Sequence, residues 1–306
     1  MEIKMNTGHI SALITIIIWG TTFISTKILL IDFTPIEILF FRFVIGIIAL
    51  SIIFPYRLKV MDRKHHLYFA AAGICGVTLY YLLENIALTF TMASNVGVIS
   101  AIVPFFTAIL TYFYLKNEPL RINFFIGFVV ALIGIFLISF NGTINFKVNP
   151  LGDLLAIAAT LVWAIYSVIS KKISSFGYHT IQATRQVFFY GILFMIPTLF
   201  LFDFKLGFER LANPVNLFNM FFLGLGASAL CFVTWNFAIK KLGAIKTSIY
   251  IYLVPVITVI TAMIVLHEPL TWMAILGTFL TLTGLFISET KMITRKKEKL
   301  VNSLQE

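Results

Sequence analysis

The chain is 306 residues long, 59% of them apolar and only 12% charged, with a mean hydropathy of +0.97. This excludes a soluble domain, in which charged residues approach about a quarter, and makes lipid the solvent for most of the chain. A net charge of +10 and a pI near 9.6 invite a nucleic-acid partner, but the cations lie where a membrane protein keeps them, and no nucleic acid is expected.

A helix needs about 20 apolar residues to cross a ~30 Å hydrocarbon core. Ten spans are predicted, at about 9–31, 35–54, 67–88, 93–115, 121–140, 151–173, 180–202, 217–239, 245–266 and 271–289. Of 23 Lys and Arg, 17 fall in segments that share one side, among them Arg57, Lys59, Lys172, Lys241 and the basic tail after Lys291. The positive-inside rule then predicts a multi-pass protein of the cytoplasmic (inner) membrane with both termini in the cytoplasm. The first span is too long for a signal peptide and has no small-x-small cleavage site, so it is read as retained. Cys75 and Cys231 fall inside spans and predict neither a disulfide nor a metal site.

The first span carries Trp19 near its middle, where tryptophan needs protein or a cavity around it, and Lys27 near its end. The lysine either reaches an interface or neutralises a substrate carboxylate. Arg42 in the second span is predicted to lie roughly 10 Å deep, either capping helix ends or gating an anionic substrate. The third span places Tyr80, Tyr81, Glu84 and Asn85 together. An ionisable group at a span centre costs at least ~2.5 kcal/mol. Glu84 therefore either serves proton coupling, holds a substrate ammonium group, or reaches back to the outer interface. Asn95 opens the fourth span and Pro104 interrupts it; a mid-span proline frees a carbonyl that only protein or a wet cavity can cover. Gly127 and Gly134 in the fifth span lie seven residues apart on one face, suited to close helix packing within the fold or between the protomers of a homodimer.

After the turn-rich joint at 141–150 the pattern returns in the same order. Trp163 and Lys171 repeat Trp19 and Lys27; Asn236 and Pro255 repeat Asn85 and Pro104; Gly277 and Gly284 repeat Gly127 and Gly134. Glu118-Pro119-Leu120 likewise recurs as Glu268-Pro269-Leu270, read as turns. Five spans carry a chain across the membrane, so the second copy (146–306, with the basic tail) sits inverted relative to the first (1–145), an arrangement found in secondary transporters. The copies differ at Arg185, preceded by His179 and Thr180 rather than proline, and at Trp235, which stands where Glu84 does. Tyr250 and Tyr252 in the ninth span complete the predicted aromatic pathway.

This ordered set, occurring twice over residues 8–289, resembles the EamA-type transporters of the drug/metabolite transporter superfamily. The resemblance implies an all-α fold of ten transmembrane helices as two inverted five-helix units, alternating access to a central pathway, and export of small metabolites, amino acids or drugs. A membrane enzyme or a scaffold is the competing class. The sequence offers no HExxH, no GxSxG and no paired intramembrane aspartates for the first, and no loop or domain to present an interface for the second. Neither does it hold a P-loop. The expectation is a secondary carrier rather than an enzyme, with no cofactor, proton coupling as the candidate energy source, and a small molecule and the bilayer as partners.

Overall fold

The computed structural model describes residues 7–91, 93–115, 122–140, 149–202, 204–266 and 272–289. Those residues form helices and no strand. In chain order they are α1 (Thr7–Leu29), α2 (Pro35–Ile53), α3 (Lys64–Phe90), α4 (Ala93–Ser100 and Val103–Tyr114), α5 (Ile122–Phe140), α6 (Pro150–Ser174), α7 (Thr180–Leu201), α8 (Pro214–Leu242), α9 (Ala244–Ile249, Tyr250–Tyr252 and Leu253–Leu266) and α10 (Trp272–Glu289). Six of them, α1, α2, α3, α6, α7 and α8, are long and apolar enough to cross a membrane. Four further apolar stretches, Val103–Tyr114, Ile122–Leu137, Ala244–Thr258 and Ile275–Ser288, are shorter.

Helix starts follow local chemistry. Pro35, Pro150 and Pro214 each occupy the first turn, where the missing N–H costs nothing. Asn149 and Asn213 cap α6 and α8 by accepting the amides of Gly152 and Val215 at 3.2 and 3.0 Å. The same rule places the breaks in α4 and α9. Pro104 stands in the first turn of Val103–Tyr114, so the interruption falls at Ala101 and Ile102, before the proline. In α9 the chain tightens to a 3₁₀ turn at Tyr250–Tyr252, again ahead of Pro255.

Two π-helical stretches occur inside long helices, Ile74–Leu79 in α3 and Phe222–Leu230 in α8. Each immediately precedes the helix turn that carries the polar and aromatic cluster of its half, and each rotates the residues after it relative to a plain α-helix.

The two halves interleave. Gly73 in α3 lies against Gly191 and Val187 of α7, and Gly224 in α8 lies against Ile45 and Arg42 of α2. The fifth and tenth helices pair glycine to glycine: a Cβ on Gly127 would run into the Gly284 carbonyl, and one on Gly134 would stand 2.5 Å from the Gly277 carbonyl. Partners run in opposite order along the two helices, so α5 and α10 are antiparallel. The glycine faces thus serve packing within the chain. Large apolar side chains such as Ile17, Ile52, Leu154, Phe200 and Phe286 are exposed on the outside of the bundle, as a lipid-facing surface requires.

Candidate functional site

Where α1, α3, α4, α6 and α9 converge lies a small cavity of about 40 Å³. Its walls are Trp19, Thr22 and Phe23 from α1, Tyr80, Tyr81 and Glu84 from α3, Ser100 and Val103 from either side of the α4 break, Trp163 from α6, and Ile251 and Val254 from α9. Breaking α4 ahead of Pro104 and α9 ahead of Pro255 is what brings those flanking residues to the cavity. The space holds about one water, whereas ligand sites run to ~300–1,000 Å³, so its walls must part to admit a substrate.

The aromatic walls support each other. Trp19 meets Trp163 edge to face at 5.2 Å and Trp235 at 5.0 Å, and Tyr80 meets Trp163 at 4.6 Å; such pairs contribute about 0.5–1.5 kcal/mol each beyond burial. The indole N–H of Trp19 donates to the Ala227 carbonyl at 3.0 Å, within the π-helical stretch of α8, where helical pairing is loosened. Its repeat counterpart has no such partner: the Nε1 of Trp163 is buried without a hydrogen bond. An unpaired buried donor costs about 1–3 kcal/mol, and this one belongs to a residue on the cavity wall. Glu84, only 4% exposed, stands on the same wall as Tyr80, one turn before it. A carboxylate and a free indole donor therefore share one aromatic-walled space.

The remaining residues singled out from sequence stand elsewhere. Arg42 is buried behind the wall, its guanidinium 4.1 Å over the Tyr81 ring and its Nε donating to Ser228 at 3.0 Å. Lys27 donates to the carbonyls of Leu88 and Thr91 at 2.6 and 3.2 Å, closing the end of α3. Lys171 does the same for α8 through the Ile239 carbonyl at 3.3 Å. Arg185 binds the carbonyls of Phe54 and Tyr56 beyond the end of α2, at 2.7 and 2.5 Å. These three cations cap chain ends rather than face the cavity. Asn85 donates to the Pro35 carbonyl at 3.1 Å, while Asn236 bridges Tyr166 and Thr184 at 2.9 and 3.0 Å; both tie neighbouring helices. Tyr250 pairs with His9 at 2.5 Å, and Tyr252 packs in a separate cluster with Phe124 and Ile135. Trp235 is fully buried behind Trp19, and Pro104 and Pro255 sit one residue from the wall. The side chain of Asn95 lies outside the described residues, as do Glu118 and Glu268.

One pair escaped sequence reasoning. Glu37, 1% exposed, takes a two-pronged bond from Arg210 at 2.8 and 3.2 Å and the amides of Thr34 and Lys205 at 2.8 and 3.1 Å. Arg210 also donates to the Asp32 carbonyl at 2.8 Å and lies 4.4 Å over Phe33. Together they clasp the start of α2 to the segment between α7 and α8. The Thr34-Pro35-Ile36-Glu37 spacing is a capping-box signal that marks Glu37, but nothing in the sequence marks Arg210 as its partner.

Comparison with known proteins places this geometry. The EamA-like transporter family matches residues 6–140 and again 150–290. An uncharacterised transporter of Archaeoglobus fulgidus is 26% identical over 290 residues, covering 92% of this chain and 97% of that protein. A protein of Streptantibioticus cattleyicolor named a probable terminal-alkyne amino-acid exporter is 22% identical over 296 residues, covering 96% and 97%. A solved crystal structure shares the fold, with a TM-score of 0.73 at 19% identity over 93% of this chain and 96% of that one.

Proposed function

The chain belongs to the EamA-like transporter family, a multi-pass membrane transport protein, and from that premise we propose that it exports small amine-bearing metabolites, amino acids foremost, by alternating access through the aromatic cavity. The observation that carries this is the pairing of Glu84 with the unpartnered Trp163 indole on one cavity. Glu84 receives the substrate ammonium, Trp163 donates to its carboxylate, and the Trp and Tyr walls take an apolar side chain. The amino-acid exporter named among the relatives supports the substrate class. The chain is a ten-span bundle of two inverted five-helix units, 1–145 and 146–306, a reading supported by the double family match and by the antiparallel glycine pairing of α5 with α10. It sits in the cytoplasmic membrane with both termini inside, as the cation distribution supports. When no substrate is bound, protonation of Glu84 neutralises the cavity and couples the return step to the proton gradient.

The test is an efflux screen with proteoliposomes loaded with a mixture of amino acids, amines and organic acids. Selective loss of amino acids or amines from protein-bearing vesicles is expected. Release of organic acids alone, with amine-bearing solutes retained, would contradict the assignment.

A further inference from the structure

A much larger space lies apart from the central cavity. It is a cleft of about 950 Å³ at the end of the bundle where α3 and α8–α9 meet α4 and α6. Lys171, Lys172 and Lys241 stand around it with Tyr68 and Tyr114, and no carboxylate lines it among the described residues. Its floor is apolar, formed by Ile165, Val168 and Ile169 of α6.

Helix geometry separates this cleft from the transport pathway. At ~100° per residue, Ile165, Val168, Ile169 and Lys172 lie roughly 140–240° around α6 from Trp163, the residue that α6 gives to the cavity. That far face is outward over the first half of the helix and then turns into the cleft, where Ile165 and Ile169 are half-buried and Val168 is buried. Leu154, Ile157 and Leu161 are 64%, 39% and 40% exposed, and at spacings of three and four they run straight into Ile165, Val168 and Lys172. The cleft is therefore the polar end of a lipid-facing stripe. It sets ammonium groups and tyrosines at the end of the bundle beside apolar side chains, the combination a membrane surface offers as headgroup, aromatic belt and hydrocarbon. Lys172 and Lys241 are exposed, their ammonium groups 5.9 and 5.6 Å from the rings of Phe176 and Phe237.

We propose that this cleft binds an anionic phospholipid, its phosphate held by Lys171, Lys172 and Lys241 and one acyl chain laid along Leu161 and Ile165. A free soluble anion would satisfy the lysines but leave the apolar floor unused, and a zwitterionic lipid would satisfy the floor but bring no net charge to the lysines. The proposal holds whatever the central cavity carries.

The full chain, purified in neutral detergent and equilibrated with equal amounts of phosphatidylglycerol and phosphatidylethanolamine, is examined by native mass spectrometry. Phosphatidylglycerol should be retained in preference. Lys172→Gln with Lys241→Gln should reduce that preference about 25-fold, taking each lysine near anionic lipid as worth roughly a factor of five. Lys171 is left in place because it caps α8. Ile165→Trp should weaken retention with every charge intact, and Arg57→Gln with Lys59→Gln, removing two cations elsewhere, should not. No headgroup preference in the wild type, equal losses in the two charge pairs, or displacement of the lipid by inorganic phosphate would each overturn the assignment.

Discussion

Replacing Gly134 by alanine would put a methyl group 2.5 Å from both the Gly277 carbonyl oxygen and the Thr281 amide nitrogen. Both are backbone atoms of a continuous helix and cannot swing aside. Restoring an ordinary contact of about 3.4 Å requires α5 and α10 to part by about 0.9 Å. A gap of that size forfeits a quarter to a half of each atom-pair attraction of ~0.15 kcal/mol. Over some thirty pairs along the interface the loss is on the order of 2 kcal/mol. Gly226→Ala is the matched control, because a Cβ there meets the Phe222 ring at 3.6 Å, an ordinary contact. Thermal melting in detergent, followed by size-exclusion chromatography of the surviving monodisperse fraction, should show Gly134→Ala several degrees below wild type and Gly226→Ala close to it. Gly134→Ala melting with the wild type would refute the close glycine pairing of the two helices.

Removing Arg210 as Arg210→Ala leaves Glu37 buried with only two backbone amides. Breaking a buried pair costs about 3–5 kcal/mol, reduced here to roughly 2–3 because Arg210 is 24% exposed; Glu37→Gln with Arg210→Met should recover most of the melting temperature, and failure to do so would show that the pair's charge is not what matters. Glu84→Gln fixes the cavity neutral and removes the carboxylate that receives the ammonium, so transport driven by a pH gradient should disappear and gradient-free exchange of amine-bearing substrates should weaken at every pH; wild-type kinetics across an imposed proton gradient would remove Glu84 from the mechanism. For topology, thiol labelling of intact cells should modify Leu206→Cys, on the predicted outer side, and spare Asp62→Cys, with the reverse pattern overturning the orientation.

The sequence carried the helices well, because apolar runs bounded by proline, glycine and charge leave little choice in a bilayer, and predicted and observed boundaries agree within a few residues. Trp19, Tyr80, Tyr81, Glu84 and Trp163, marked in the sequence as polar and aromatic groups at mid-span that protein must cover, line one cavity. Whether such a group faces the cavity or a neighbouring helix was not legible. Lys27 and Lys171, read with two roles open, cap helices because they sit within reach of the carbonyls that end α3 and α8, a juxtaposition made only by tertiary packing. The π-helical stretches at Ile74–Leu79 and Phe222–Leu230 have no residue signature, yet they decide which way Glu84 and Trp235 point. Similarly, Glu37 and Arg210 lie 173 residues apart, and periodicity says nothing about partners at that distance.

The central claim is that substrate crosses through the cavity among α1, α3, α4, α6 and α9. Ser100 lines it and is 8% exposed, so Ser100→Trp overfills the space and blocks it with no change of charge. The decisive measurement is counterflow of labelled amino acids into proteoliposomes bearing equal amounts of folded wild-type or Ser100→Trp protein. The wild type should accumulate label transiently and the filled variant should not. Equal counterflow by the two proteins would contradict a pathway through this cavity.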